Sequence, residues 1–255
     1  MRRRNFLTTA GAAGMAAAPA SAAQGNAIFE LRWFRMRNGS QVARTTDFLG
    51  KYAVPAARRA GMGPMGFFNA VIADQAPFVL SLTSYPSLQA VLDTAGRMAA
   101  DPEFRKGFDE YNSMSELSYI RMETALLRAF DVQKTLAPPP ARKEPRIFEM
   151  RVYESNHVKA GQTKVRMFNE GEAQIFRRLG MAPVFFGESI AGRNLPNLTY
   201  MLSFDDLADR DRKWNSFRTD PEWEKMRAIP EYADALIVSN ITTAILRGLP
   251  FSDIR

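Results

Sequence analysis

The chain has 255 residues, of which 46% are hydrophobic and 24% are charged, and its formal net charge is +7. These fractions are typical of a soluble globular protein, and no block of Lys and Arg alternates with aromatic residues as on a nucleic-acid surface. The sequence contains no cysteine, which excludes disulfides, thiolate catalysis and cysteine-ligated metal sites.

The first residues have the features of an export signal. Arg2-Arg3-Arg4 is a basic segment, residues 7–18 are mildly apolar, and Ala20-Ser21-Ala22 is an A-x-A cleavage site. The order Arg3-Arg4-Asn5-Phe6-Leu7 resembles the twin-arginine consensus. We therefore predict a twin-arginine signal peptide over residues 1–22, the twin-arginine translocase as a partner during export, and a periplasmic or secreted mature protein. No later stretch approaches the length of a membrane span.

The first half of the mature chain alternates strand and helix patterns. Strands are predicted over 28–35, 65–72, 78–85 and 119–127, the middle two joined as a hairpin. Helical spacing covers 42–59, where Pro55 should kink or divide the helix, and 87–100. Asp101-Pro102-Glu103 is a helix start. The order β-α-β-β-α-β predicts the split-βαβ or ferredoxin-like plan.

Residues 131–145 contain Pro138-Pro139-Pro140 and are predicted to be a semi-rigid linker exposed to solvent. The plan then repeats. Strands are predicted over 147–153, 184–190, 198–204 and 236–246, with helices over 160–179 and after Asp205-Asp206. The aromatic residues Trp214, Phe217 and Trp223 are interpreted as core.

The two halves are copies of one unit. Ile28-Phe29-Glu30-Leu31-Arg32 returns as Ile147-Phe148-Glu149-Met150-Arg151, an offset of 147 − 28 = 119 residues. Asp101-Pro102-Glu103-Phe104 returns at the same offset as Asp220-Pro221-Glu222-Trp223. The sequence therefore predicts an α+β protein with two tandem ferredoxin-like (βαββαβ) domains, over 27–130 and 146–251.

The second copy carries a family resemblance. Residues 200–211, from Tyr200 through Asp205-Asp206-Leu207-Ala208, followed by Asp220-Pro221-Glu222-Trp223, resemble the NIPSNAP domain. Phe148-Glu149-Met150-Arg151-Val152-Tyr153 also resembles the opening strand of that family. The first copy departs, with Tyr85-Pro86-Ser87-Leu88 at the helix start and Phe104 for the Trp.

The resemblance implies a dimeric α+β barrel, in which two sheets pack face to face with helices outside; here both sheets come from one chain. The wider superfamily includes cofactor-free oxygenases, isomerases and lyases as well as haem enzymes. NIPSNAP proteins have no settled chemistry, and some eukaryotic members are interaction proteins.

Candidate site residues are the charges on the predicted strands. If Phe148, Met150 and Val152 face the helices, Glu149, Arg151 and Tyr153 face the other sheet, and Glu30 and Arg32 do the same in the first copy. Arg121 and Glu123 lie on its last strand, where the second copy has Asn240 and Thr242. One hypothesis places a polar cavity between the sheets, with Arg32, Arg121, Arg151, Tyr153 and Asn240 binding a small organic molecule. The candidate catalytic carboxylates are then Glu149, Glu30 and Glu123.

The alternative hypothesis is a non-catalytic interaction or scaffold protein, in which internal Glu–Arg pairs fix how the halves dock. Mutating Glu149 and Arg151 would distinguish the two. The sequence does not identify the ligand, a reaction or the oligomeric state, and it leaves a homo-oligomer open.

His157, the only histidine, is interpreted as a surface loop residue. With no second histidine and no cysteine, neither a metal site nor a haem ligand is expected, and no Ser-His-Asp motif supports a triad. A degraded haem-type barrel is a third hypothesis, and it predicts a Soret band. No dinucleotide or P-loop pattern is present, so no bound cofactor is expected.

Overall fold

The computed structural model of the protein describes residues 25–113 and 117–255, so the predicted signal peptide lies outside the described residues. Eight strands form one closed antiparallel barrel. In chain order they are β1 (Ile28–Arg35), β2 (Met65–Ile72), β3 (Phe78–Tyr85), β4 (Arg121–Ala129), β5 (Ile147–Glu154), β6 (Pro183–Ala191), β7 (Asn197–Phe204) and β8 (Asn240–Gly248).

The barrel consists of two four-stranded sheets, one from each half. Around the barrel the order is β1-β3-β2-β8-β5-β7-β6-β4, so each half contributes its own four neighbouring strands. The halves join edge to edge through the β2–β8 and β4–β6 pairs. This arrangement confirms the predicted fold class, because closure of two ferredoxin-like sheets leaves neither sheet with a free edge.

Helices accompany each sheet. The α-helices are α1 (Ser40–Phe48), α2 (Val54–Arg59), α3 (Leu88–Ala100), α4 (Pro102–Asn112), α5 (Val158–Met167), α6 (Ala173–Arg178), α7 (Leu207–Arg218), α8 (Pro221–Arg227) and α9 (Asp234–Ile237). The turn Pro230–Tyr232 is a 3₁₀-helix. Aspartates Asp101, Asp206 and Asp220 accept backbone N–H bonds as N-caps of α4, α7 and α8.

A π-helical segment interrupts the first long helix of each half. The segments are Leu49–Ala53 and Phe168–Glu172, and they lie at the repeat offset, since 49 + 119 = 168. Pro55 follows the first segment, as the predicted division of that helix requires, but Gln174 stands at the matching place in the second. The proline is therefore not the common cause of the interruption.

Two sequence predictions need correction. The last strand does not begin at Leu236, because Asp234–Ile237 form a helical turn and β8 starts at Asn240. The segment 131–145 is not a fully exposed spacer, because Leu136 is buried in the barrel core. The backbone N–H of Ala137 also donates to the carbonyl of Val184 at 2.9 Å.

The barrel interior is apolar and closed at one end. Phe29, Phe148 and Leu246 are among the fully buried side chains of the interior cluster. Leu136 and the near-terminal Ile254 belong to the same cluster, so the linker and the chain end plug this side. A second apolar layer lies outside the barrel under the helices, where Trp214, Phe217 and Trp223 are buried as predicted. Within the described ranges no helix is both long and apolar enough to span a membrane.

Candidate functional site

The end of the barrel opposite the plug holds a polar cavity of about 220 Å³, here called the barrel mouth. Its lining combines strand ends with the β2–β3 and β6–β7 loops. The lining residues include Trp33, Arg35, Asp74, Gln75, Glu123, Ala125, Val152, Glu154, Ser189, Arg193, Asn194, Asn197, Thr199 and Thr242. The volume lies below the roughly 300–1,000 Å³ of drug-sized ligand sites, so the mouth suits a small molecule.

At the mouth, three arginines contact the carboxylate of Glu123. Arg35 contacts it at 3.2 Å and Arg193 at 2.9 Å, and Arg121 donates a further hydrogen bond. Burial alone would raise the pKa of Glu123, but the hydrogen bonds from Arg121 and Arg35 and the neighbouring arginine charges outweigh it and lower the pKa below its usual value. A carboxylate held ionised in this way is a weak proton acceptor, which argues against Glu123 as a general base.

Glu154 lies on the second half's side of the mouth in a different setting. Its Oε1 accepts hydrogen bonds from Asn240 at 2.9 Å and Asn194 at 3.2 Å. Asn240, predicted as a ligand-binding residue, therefore contacts the mouth through Glu154. Glu154 itself was not among the predicted site residues. The available signal was a charged residue that continues the otherwise apolar face of Phe148, Met150 and Val152.

The two copies have diverged at this end of the barrel. The first half places the apolar residues Ala70, Phe78 and Leu80 at interior positions near the mouth. At the 119-residue offset the second half has Ser189, Asn197 and Thr199, all of which line the cavity. The apolar Ala70, Phe78 and Leu80 do not line the cavity, whereas their polar counterparts in the second half do, so the mouth is one asymmetric site rather than two equivalent ones.

Most of the predicted strand charges lie elsewhere. The prediction that Glu30, Arg32, Glu149, Arg151 and Tyr153 face the opposite sheet is wrong, because these side chains point outward to the helix layer. Their neighbours Phe29 and Phe148 occupy the interior instead. Of the predicted residues, the structure brings Glu123, Arg121 and Asn240 to the mouth.

Glu149 joins its strand to α7. Its carboxylate is fully buried and accepts both a bidentate pair of bonds from Arg210, each 2.9 Å, and a 2.6 Å bond from the Trp214 indole N–H. The Arg151 guanidinium lies over the Trp214 ring at 4.7 Å. These contacts hold a helix on the sheet of the same half, so they do not fix the docking of the two halves.

The first copy has a simpler version of this cluster. Glu30 accepts a bond from the Tyr85 hydroxyl at 3.0 Å and pairs with Arg32. At the positions of Arg210 and Trp214 it has Val91 and Ala95. Both partners of Glu30 lie on strands, so the first version links β1 to β3, whereas the Glu149 version links a strand to a helix.

A second buried polar cluster lies under α5 and α9 and was missed by sequence reasoning. Lys164 and Glu172 pair at 3.0 Å with both side chains 2% exposed, and the hydroxyls of Tyr153 and Tyr200 lie 3.0 Å apart. Burial raises the pKa of Glu172, of Tyr153 and of Tyr200. The helical spacing of Lys164 with Ala160 and Phe168 was the available signal.

His157 is exposed and acts as the N-cap of α5, where its Nδ1 accepts a 3.1 Å bond from the Ala160 N–H. Among residues 25–113 and 117–255, no three His, Asp or Glu side chains converge as metal ligands.

Comparison with known proteins matches residues 148–253 to the NIPSNAP family. This match lies in the second unit and supports the family resemblance there. A comparison with curated proteins found no match.

Solved structures share the fold. A provisionally assigned monooxygenase from Fusobacterium nucleatum is 9% identical, with 88% of this chain and 93% of that chain covered and a TM-score of 0.56. Another from Lactobacillus acidophilus is 10% identical, with 87% and 93% covered and a TM-score of 0.54. A NIPSNAP-like domain protein from Burkholderia xenovorans is 20% identical over 42% of this chain and 88% of its own, with a TM-score of 0.37. At these identities the first two show the barrel fold alone.

Proposed function

We propose that this NIPSNAP-like chain binds a small organic molecule in the barrel mouth. The observation that carries the proposal is the divergence of the two copies at the end of the barrel opposite the linker and the chain end. Elsewhere in the interior both copies keep apolar residues, as with Phe29 and Phe148. At the mouth, Thr199 replaces the equivalent of Leu80, and Ser189 replaces that of Ala70.

Two hydroxyl groups in the lining of the mouth are available to bind a ligand. Within the described residues, the hydroxyls of Thr199 and Thr242 take part in none of the hydrogen bonds of the fold, and both residues line the cavity. The lining also includes Trp33, Ala125 and Val152. The mouth therefore combines hydrogen-bonding groups with apolar side chains, as small-molecule sites do.

The test is a fragment screen read out at Trp33 by ¹H–¹⁵N NMR of the indole N–H, assigned with Trp33→Phe. We expect fragments to shift the Trp33 signal. The signals of Trp214 and Trp223, which are buried in the helix layer, should stay unchanged. Fragments that shift only Trp214 or Trp223, or no indole at all, would contradict the proposal.

A variant that fills the mouth is compared with a matched control. Ala125→Phe puts a bulky ring into the cavity and should abolish the fragment-induced shifts. Ala141→Phe adds the same ring to an exposed linker position and should leave them intact. Equal binding by both variants would locate the ligand outside the mouth.

We also propose that the chain is exported by the twin-arginine route, supported by Arg3-Arg4-Asn5-Phe6-Leu7 and the Ala20-Ser21-Ala22 site. Replacing Arg3 and Arg4 together by Lys should leave an uncleaved chain in the cytoplasm. Cell fractionation with N-terminal sequencing measures this, and unchanged periplasmic recovery would refute the route.

A further inference from the structure

We infer that the ligand of the barrel mouth is a small organic amine, whose ammonium group pairs with Glu154; the inference rests on the mouth being the binding site. The observation behind it is a carboxylate that lines the cavity without a cationic partner. Glu154 forms no ion pair with any cation in the described part of the chain, and its two amide partners both donate to Oε1. Oε2 is left without a hydrogen bond there.

The arginines at the mouth all contact one carboxylate. Arg35, Arg121 and Arg193 all pair with Glu123, and the Arg35 and Glu123 side chains are only 14% and 12% exposed. The Arg35–Glu123 pair is the enclosed part of this group, whereas the side chains of Arg121 and Arg193 extend to solvent. Of the charged residues that line the cavity, Arg35 and Arg193 are cations and Asp74, Glu123 and Glu154 are carboxylates, so the lining has one negative charge in excess. Asp74 and Glu154 both lack an ion pair in the described part of the chain, but Asp74 is exposed whereas Glu154 is half-buried.

The duplication shows how this imbalance arose. Glu154 stands at the position of Arg35, since 154 − 35 = 119, and Thr242 stands at the position of Glu123, since 242 − 123 = 119. In the first half these two positions form the Arg35–Glu123 ion pair. The second half keeps a charge at the first position, with the sign reversed, and has a neutral residue at the second.

A half-buried carboxylate without a cation is unfavourable unless a bound group compensates it. An ammonium ligand restores the pairing that the first half makes internally. Its apolar part fits against Trp33, Ala125 and Val152, and the volume of about 220 Å³ limits it to a small molecule. An anionic ligand would meet the three lining carboxylates Asp74, Glu123 and Glu154, against two lining arginines that both contact Glu123.

The experiment compares three probes of one shape by calorimetry and by the Trp33 indole signal: benzylamine, benzyl alcohol and benzoate. Benzylamine should bind at least about tenfold more tightly than the alcohol, as expected for one charge-assisted hydrogen bond. Glu154→Gln should remove this preference. Glu188→Gln, on the outer barrel surface, should preserve it.

Thr242→Arg provides the missing cation within the chain, at the position whose counterpart already forms an ion pair. It should abolish benzylamine binding while raising the midpoint of thermal unfolding, which shows that the variant is folded. Thr243→Arg, one residue along and on the opposite strand face, should leave benzylamine binding intact and should not raise the midpoint, because it places an arginine beside Arg151.

Two results would overturn the inference. One is benzoate or benzyl alcohol binding at the mouth as tightly as benzylamine, which would leave the mouth a ligand site of another class. The other is amine binding that survives both Glu154→Gln and Thr242→Arg. Failure of the mouth itself as a site is detected separately, by fragments whose shifts survive Ala125→Phe.

Discussion

Among single residues, two glutamates at the same repeat position show how neighbouring side chains determine the contribution of a carboxylate to stability. Glu149 accepts three hydrogen bonds from Arg210 and Trp214, whereas the side-chain partners of Glu30 among the described residues are Arg32 and Tyr85. Arg32 is 38% exposed, so its pair is partly screened by solvent.

We therefore expect Glu149→Gln to lower the free energy of unfolding by roughly 1–3 kcal/mol, the cost of weakening hydrogen bonds to a buried charged group. Glu30→Gln should cost less. Urea unfolding followed by circular dichroism measures both. A larger loss for Glu30→Gln, or loss of mouth binding in Glu149→Gln at unchanged stability, would contradict the structural role of Glu149.

The pH dependence of stability should report on Glu123. Its folded pKa lies below the unfolded value of 4.5 because its arginine bonds outweigh burial. The ionised group thus contributes stability above pH 4.5, and this contribution is lost as the pH falls through the folded pKa. The stability difference between the native chain and Glu123→Gln should be largest near neutral pH and shrink in acid. A difference that grows in acid would show the opposite shift.

At the scale of elements, the buried Lys164–Glu172 pair links α5 to the π-helical segment. Removing one partner of a buried ion pair lowers the free energy of unfolding by about 3–5 kcal/mol, whereas replacing both partners by apolar residues often leaves it nearly unchanged. We expect Lys164→Met to be strongly destabilising and Lys164→Met/Glu172→Leu to recover most of the loss. A double-mutant cycle in urea measures the coupling. Additive losses would show that the two groups do not act as a pair.

The N-caps Asp101 and Asp220 are matched across the repeat, and each also pairs with an arginine, Arg59 or Arg178. Replacing either aspartate by Ala should lower the free energy of unfolding by about 1 kcal/mol, because backbone N–H groups of the helix lose their acceptor. Thermal unfolding of both variants checks this. A loss at Asp101 alone would be unexpected, since the Asp220 cap holds the buried Trp223 in place.

Element order was predictable from the sequence because turn residues and periodicity act locally. The Asp-Pro-Glu helix starts and the β2–β3 and β6–β7 hairpins form as predicted. The π-helical segments and the turn Asp234–Ile237 were not predictable. They depend on packing against other elements rather than on residues within the segment.

At the scale of the whole molecule, the offset of 119 residues correctly predicted two sheets closing on each other. It did not tell which strand face lies inside. Phe148 and Glu149 are both fully buried, one in the barrel and one under the helices. Alternation distinguishes a buried face from an exposed one, but not two buried faces. The candidate charges were therefore assigned to the wrong side of the sheet.

Closure also predicts how the molecule unfolds. The β2–β8 and β4–β6 pairs tie each half to the other, so the intact chain should unfold in one cooperative transition. Residues 146–255 alone would expose the edges of β6 and β8 and should self-associate. Calorimetry and light scattering test these expectations, and two separate transitions in the intact chain would show independent halves.

We propose one asymmetric ligand site at the open end of the barrel, and a crystal structure of residues 25–255 soaked with benzylamine is the decisive experiment. We expect difference density between Trp33 and Glu154, with the amine within hydrogen-bonding distance of the Glu154 carboxylate. Density only under the helices near Arg151, with an empty mouth, would refute the site.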